Sequence, residues 1–121
     1  MYIEDSNNPY HITITEGDFG LILPIELTPE EGELITEDTN FQINIFKKIN
    51  TEPLVTKDYS NIENDTIEFD LTENESLLLK RGEYVYDLDW YQNGVFMCNI
   101  LPKQKFSVIE KGKKVGGSNE S

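Results

Sequence analysis

Hydrophobic and polar side chains alternate most cleanly between Gly82 and Phe96, GEYVYDLDWYQNGVF. Tyr84, Tyr86, Leu88 and Trp90 fall on one face of an extended chain; Val85, Asp87, Asp89 and Tyr91 fall on the other. That two-residue period marks a half-buried strand rich in aromatics. Asn93-Gly94 follows, a pair that tolerates positive φ and closes a type I′ hairpin. The same period recurs at Tyr10–Glu16, Phe19–Leu27, Asp38–Lys48, Asp65–Leu71 and Gln104–Glu110, with Tyr10, Ile12 and Ile14, then Leu21, Leu23, Ile25 and Leu27, then Phe41, Ile43 and Ile45, then Ile67, Phe69 and Leu71, and last Phe106 and Val108 on one face. Leu54–Lys57 and the apolar run Phe96–Leu101 are shorter strand candidates. Pro24 cannot donate to a ladder, so the strand that holds it is an edge or contains a bulge.

Between these runs the signals change. Glu16-Gly17-Asp18 is a turn, Thr28–Thr36 a polar connection, and Asn50–Pro53 and Asp58–Asn64 are loops. Thr72–Lys80 breaks the alternation, and Thr72 with Glu75 has the spacing of a capping box over one helical turn. The pattern predicts an all-β fold: a single antiparallel β-sandwich, Ig-like or jelly-roll-like, of about eight short strands with one short helical turn. Residues 1–9 read as a polar N-terminal arm, 10–110 as the β-sandwich domain, and 111–121 (KGKKVGGSNES) as a flexible C-terminal tail.

Charge sharpens this picture. The net charge is −13 over 121 residues, and no Lys or Arg precedes Lys47, whereas acids are dense before it. The end of the chain is basic, with Lys103, Lys105, Lys111, Lys113 and Lys114. Such a balance repels a phosphate backbone and argues against direct nucleic-acid binding. A solvated acidic surface explains it most simply; a molecule whose two regions meet differently charged neighbours is the sharper alternative. No apolar run reaches the ~20 residues that span a bilayer. MYIEDSNNPY carries neither a basic n-region nor an apolar h-region, so synthesis and folding are expected in a cytoplasm. Cys98 is the only cysteine, which excludes an intrachain disulfide; a buried, inert thiol is expected.

Candidate chemistry is sparse. His11, the only histidine, lies on the polar face of a strand with no motif marking a Ser or Cys nucleophile. Asp87, Asp89 and Trp90 form the most tempting constellation, two carboxylates beside a ring that could stack on a sugar. Carboxylates crowd Glu30–Asp38, but no DxDxDG-type loop is present, and a solvated acidic loop is expected there. One Cys and one His cannot build a typical zinc site. Asn64-Asp65-Thr66, Asn74-Glu75-Ser76 and Asn119-Glu120-Ser121 match the glycosylation pattern as coincidences of an Asn-rich chain. No catalytic, cofactor-binding or metal-ligating residue is assigned, and no enzymatic activity is expected.

From Leu71 the chain reads LTENESLLLKRGEYVYDLDW, then QNGVF, then KQKFSVIEK. In this order the segments resemble the small β domain of virion proteins from phages of Gram-positive (Firmicutes) bacteria, as in the N-terminal domain of baseplate upper proteins. The matched positions are the Gly17-Asp18 turn, the Gly-x-Tyr-x-Tyr-Asp motif at Gly82, Tyr84, Tyr86 and Asp87, and the Phe-x-Val strand at Phe106 and Val108. The likeness spans Tyr10 to Glu110. The sequence departs from the family pattern at Glu75-Ser76, where Asp-Thr is usual. It also stops after a short tail, where baseplate members continue into a trimeric coiled coil or fibre.

The resemblance implies a non-enzymatic phage virion structural protein. The short tail favours a capsid decoration (head accessory) protein, made in the host bacterial cytoplasm and docked on the assembled shell. Its partners would be other virion proteins, foremost the major capsid protein, in many copies per particle and with homo-oligomers allowed, without nucleic acid or membrane. Docking is expected through the acidic N-terminal arm or the basic segment Lys103–Lys114. Two alternatives stay open: a tail or baseplate structural adaptor, and a carbohydrate-binding host-attachment module that uses Trp90 or the Tyr side chains.

Overall fold

A computed structural model describes residues 1–3, 10–20, 22–47 and 51–110. Among them are β1 (Ile12–Thr15), β2 (Ile22–Glu26), β3 (Thr39–Phe46), β4 (Val55–Ser60), β5 (Thr66–Asp70), α1 (Glu73–Leu78), β6 (Gly82–Gln92) and β7 (Val95–Ile109). The fold is all-β. Five strands pair in the order β1-β7-β6-β3-β4, and β2 pairs with β5 in a separate ribbon. Every pairing is antiparallel except β1 with β7, where Ile12 lies opposite Phe106 and Ile14 opposite Val108.

This strand order is that of the immunoglobulin-type sandwich, in which strands G, F, C and C′ share one sheet and B pairs with E in the other. Here β7, β6, β3 and β4 take the places of the first four, β2 and β5 those of the second pair. A second hallmark agrees: near the start of β6 the Tyr84 hydroxyl donates to the Lys80 carbonyl at 2.6 Å, four residues upstream. Of the two sandwich types the sequence allows, the Ig-like one describes the chain.

The predicted alternation positions the core. Phe41, Ile43 and Ile45 of β3, Tyr84, Tyr86, Leu88 and Trp90 of β6, and Ile67 and Phe69 of β5 are all buried. Phe106 sits at their centre with no exposed surface. Its ring meets Phe69, Tyr84 and Tyr86 edge-on, at centroid distances of 6.2, 6.5 and 6.1 Å, the geometry that aromatic quadrupoles favour. Tyr86 then donates its hydroxyl to the Tyr10 carbonyl at 2.8 Å, which fixes the entry to β1. The helical turn forms as its capping box predicts: Thr72 Oγ1 accepts from the Glu75 N–H and Glu75 Oε1 from the Thr72 N–H, at 3.2 and 2.9 Å. Lys57, on β4, holds α1 from below, 2.6 Å from Glu75 and 3.6 Å from Asp70.

Three expectations change. The two final strands are one, because β7 runs unbroken from Val95 to Ile109 through Pro102. Its register against β6 shifts three times, each time with one extra residue on β7. Pro102 and Lys103 fall in one of these bulges, opposite Asp87, where a missing N–H costs no ladder bond. β4 extends to Ser60, through positions that read as a loop, because β3 supplies a partner as far as Asn40. The polar arm does not describe Met1–Ile3. Met1 is buried in the core, and Tyr2 and Thr28 exchange backbone hydrogen bonds of 3.1 and 2.6 Å. The rest of the arm (residues 4–9) and the tail (111–121) lie outside the described residues.

Phe106→Ala should lower folding stability by ~3–5 kcal/mol, since the site holds three rings that cannot close over the lost volume. Urea unfolding checks this; a midpoint close to that of the parent protein would show that the ring cluster does not set stability.

Candidate functional site

In an immunoglobulin-type sandwich the B–C and F–G connections meet at one end. Their counterparts here are the acidic β2–β3 connection, residues 27–38, and the β6–β7 turn. Asn93 and Gly94 take positive φ of 54° and 78°, as a type I′ turn requires. A side-chain network locks the two loops together. The Asn93 N–H donates to the Asp38 carbonyl at 2.9 Å. Thr39 Oγ1 donates to Gln92 Oε1 at 2.8 Å and accepts from the Thr36 N–H at 2.9 Å. Gln92 Nε2 reaches Thr36 Oγ1 at 3.3 Å.

This locked end presents apolar surface. Val95, Phe96 and Met97 are consecutive, and 61, 53 and 47 % exposed; Leu34, from the facing loop, is 74 % exposed. Leu34, Met97 and Trp90 line a shallow hollow of about 470 Å³ together with Gly32, Glu33, Thr36 and Gln92. The Phe96 ring meets Tyr91 edge-on at 5.7 Å. The exposure follows from the bulges: Met97 is the extra residue between the Cys98–Trp90 and Phe96–Tyr91 pairs, so the inward-outward alternation fails there. Sequence reasoning took Phe96–Leu101 as an ordinary apolar strand and missed this surface. The signal it held was the run Val95-Phe96-Met97, too continuous for a strand with one wet face.

The rim is acidic. Glu30, Glu31, Glu33, Glu37 and Asp38 lie in the facing loop, and neither that loop nor Tyr91–Pro102 contains a Lys or Arg. The Met1 ammonium, a single positive charge, bridges two of these acids, at 2.6 Å from Glu33 and 3.2 Å from Glu30. Burial disfavours that ammonium, but the two carboxylates outweigh it and raise its pKa, and its hydrogen bond holds Glu33 below the usual carboxylate range. Among the described residues no group of three Asp, Glu, His or Cys side chains could hold a metal ion. The cations Lys47, Lys80 and Arg81 lie toward the opposite end, where Lys47 stacks over the Tyr84 ring at 4.5 Å.

The candidates read from sequence are scattered. Asp87, itself only 6 % exposed, and Asp89 lie on the face of β6 opposite that of Trp90, which is 7 % exposed within the core. The three therefore form no constellation, and little of the indole is exposed where it lines the hollow. The two carboxylates belong to a bonded network on the outer sheet face. Asn44 Nδ2 donates to Asp87 at 3.0 Å, Asn99 Nδ2 to Asp89 at 2.7 Å, and Thr56 Oγ1 to Asn44 Oδ1 at 3.1 Å. Lys103 binds Asp87 at 2.7 Å and lies 4.3 Å from the Phe46 ring centroid. Lys105 approaches Glu83 at 4.0 Å. The described part of the basic segment is thus partly neutralised from within; its remainder, from Lys111, lies outside the described residues. His11 is exposed. Cys98 is half-buried, not buried, and burial pushes its thiol up.

No family model, curated protein or solved structure matches the chain.

Burial raises the Asp89 carboxyl above its usual range, and the Asp87 charge adds to this against the opposing Asn99 hydrogen bond and Lys103. Ionised Asp89 therefore burdens the folded state. Its contribution is most favourable below the unfolded pKa of ~4 and is lost as pH rises through the raised folded value. Asp89→Asn should gain stability relative to the parent between pH 3 and pH 7. Urea midpoints at both pH values test this; a difference that does not change with pH would contradict it.

Proposed function

We propose that the protein is a non-enzymatic phage virion structural protein, a capsid decoration (head accessory) protein that docks on the assembled shell. The observation that carries this reading is the locked end between the β2–β3 and β6–β7 loops, where Leu34, Val95, Phe96 and Met97 are exposed on an acidic domain. The ordered likeness at Gly82, Tyr84, Tyr86, Asp87, Phe106 and Val108 supports the virion setting. The polar groups that cluster on the sheet are bonded to one another (Asn44, Asp87, Asp89, Asn99) and do not converge on a cleft.

In this role the physical mechanism is linkage. A protein that binds the assembled shell but not free subunits stabilises assembly by mass action, by ~2.7 kcal/mol per site at a free concentration a hundredfold above Kd. Small contacts repeated over many copies would suffice. The net charge of −13 disfavours association between free copies before docking and contact with packaged nucleic acid.

A second reading, a tail or baseplate adaptor, is favoured by the same likeness, which is to the N-terminal domain of baseplate upper proteins. Immunoelectron microscopy of purified particles separates the two. Label spread over the head in many copies is the expected result. Label confined to the tail would replace the first reading with the second, and particles without label would remove both.

A further inference from the structure

The tip formed by Leu34, Val95, Phe96 and Met97 joins two features that point to one kind of partner. The first is apolar surface on a held frame: four side chains about half exposed or more, on two loops that the Thr36–Thr39–Gln92 hydrogen bonds join, with Leu34 and Met97 lining one hollow and Phe96 set beside Tyr91. Contiguous apolar surface with a polar rim is the signature of an interaction site. The second is the sign of the rim. Glu31, Glu37 and Asp38 lie on the loop that carries Leu34, neither loop holds a Lys or Arg, and the single positive charge of the Met1 ammonium is shared by Glu30 and Glu33.

We propose that this tip docks a protein surface whose apolar recess is bordered by lysines and arginines. The inference rests on the virion reading only for where such a surface occurs; the tip's chemistry stands apart from it. Charge complementarity selects this occupant over the others. Two copies meeting tip to tip would bring like-charged rims together, and an anionic lipid surface would be repelled in the same way. Strand addition along the outer edge of β7 is disfavoured too. Beyond Phe106 toward the turn that edge has no strand neighbour among the described residues, but bulges at Met97, Ile100 and Pro102–Lys103 break the ladder every few residues. Recognition therefore falls to side chains, with Phe96 and Met97 as anchors. In an immunoglobulin-type sandwich this end, bearing the B–C and F–G loops, is where variable domains carry their binding loops; that parallel is one of fold alone.

The test uses fluorescent full-length protein and particles that lack it, with Phe96→Ser/Met97→Ser as the tip variant. Leu77→Ser/Leu78→Ser on α1, also exposed, is the control at the other end, and melting curves confirm that both fold. The tip variant should lose about tenfold or more in apparent affinity and the control stay within about twofold. Parent binding should weaken as salt rises, and more weakly so after Glu37→Lys/Asp38→Lys. A tip variant that binds as the parent does would overturn the inference and leave the virion reading intact. If the parent binds no particle, the virion reading fails, and an amphipathic helical peptide with a Lys/Arg rim, titrated into isotope-labelled protein, decides the inference alone. Shifts confined to Leu34 and Val95–Met97 would sustain it; shifts elsewhere, or none, would overturn it. Self-association of the parent that the tip variant abolishes, or tip-dependent binding to neutral phosphatidylcholine vesicles, would overturn it in favour of a second copy or a membrane.

Discussion

Phe106 is where the two layers of the sandwich meet. It stands on β7, takes the edges of Tyr84 and Tyr86 from the neighbouring strand, and reaches across to Phe69 on the β2–β5 ribbon. The two tyrosines carry the constraint outward, because each has a buried ring and a hydroxyl that must find an acceptor. Tyr84 finds the Lys80 carbonyl and so sets the corner between α1 and β6; Tyr86 finds the Tyr10 carbonyl and so sets where β1 begins. One ring thus orients two corners, and those corners place β1 beside β7 and α1 over β4. The tip at the far end of the β6–β7 hairpin inherits its position from this joint.

The second constraint is the mismatch between β6 and β7. Three single-residue bulges let a longer strand follow a shorter one, and each bulge adds local twist. At the Phe106 end the ladder is regular and the side chains alternate. Toward the turn the bulges crowd together, the alternation fails, and apolar residues emerge on the surface. The same hairpin therefore serves the core at one end and presents apolar side chains to solvent at the other.

Much of the fold was legible in the chain because its causes are local. The alternation from Tyr84 to Trp90, the Asn93-Gly94 turn and the Thr72–Glu75 capping box each depend on residues a few positions apart, and each forms as read. What escaped depends on distant partners. Phe96–Leu101 and Gln104–Glu110 read as separate strands because the tolerance of Pro102 between them is set by the residue opposite it in β6. The continuation of β4 to Ser60 depends on β3, and the burial of Met1 on the space left beside the β2–β3 connection. The candidate site escaped for the same reason. Its frame is a bond between Thr39 and Gln92, 53 residues apart, and no period within either loop announces it. The pairing of Asp87 and Asp89 with Trp90 was suggested by sequence adjacency, which in a strand sends neighbours to opposite faces.

The distribution of charge along the domain has a further effect. Acids on the tip have no Lys or Arg beside them on either loop, whereas toward the opposite end Lys47, Lys80 and Arg81 stand among acids and Arg81 pairs with Glu110 at 3.2 Å, so the charge is unevenly spread. In the field of a surface with positive patches such a body experiences a torque before it makes any contact, and arrives with one end already leading. Fewer encounters are then spent in wrong orientations, which are the main reason that docking rates fall below the diffusion limit. On a partner with such patches, the absence of Lys and Arg before Lys47 would set which end of the molecule arrives first.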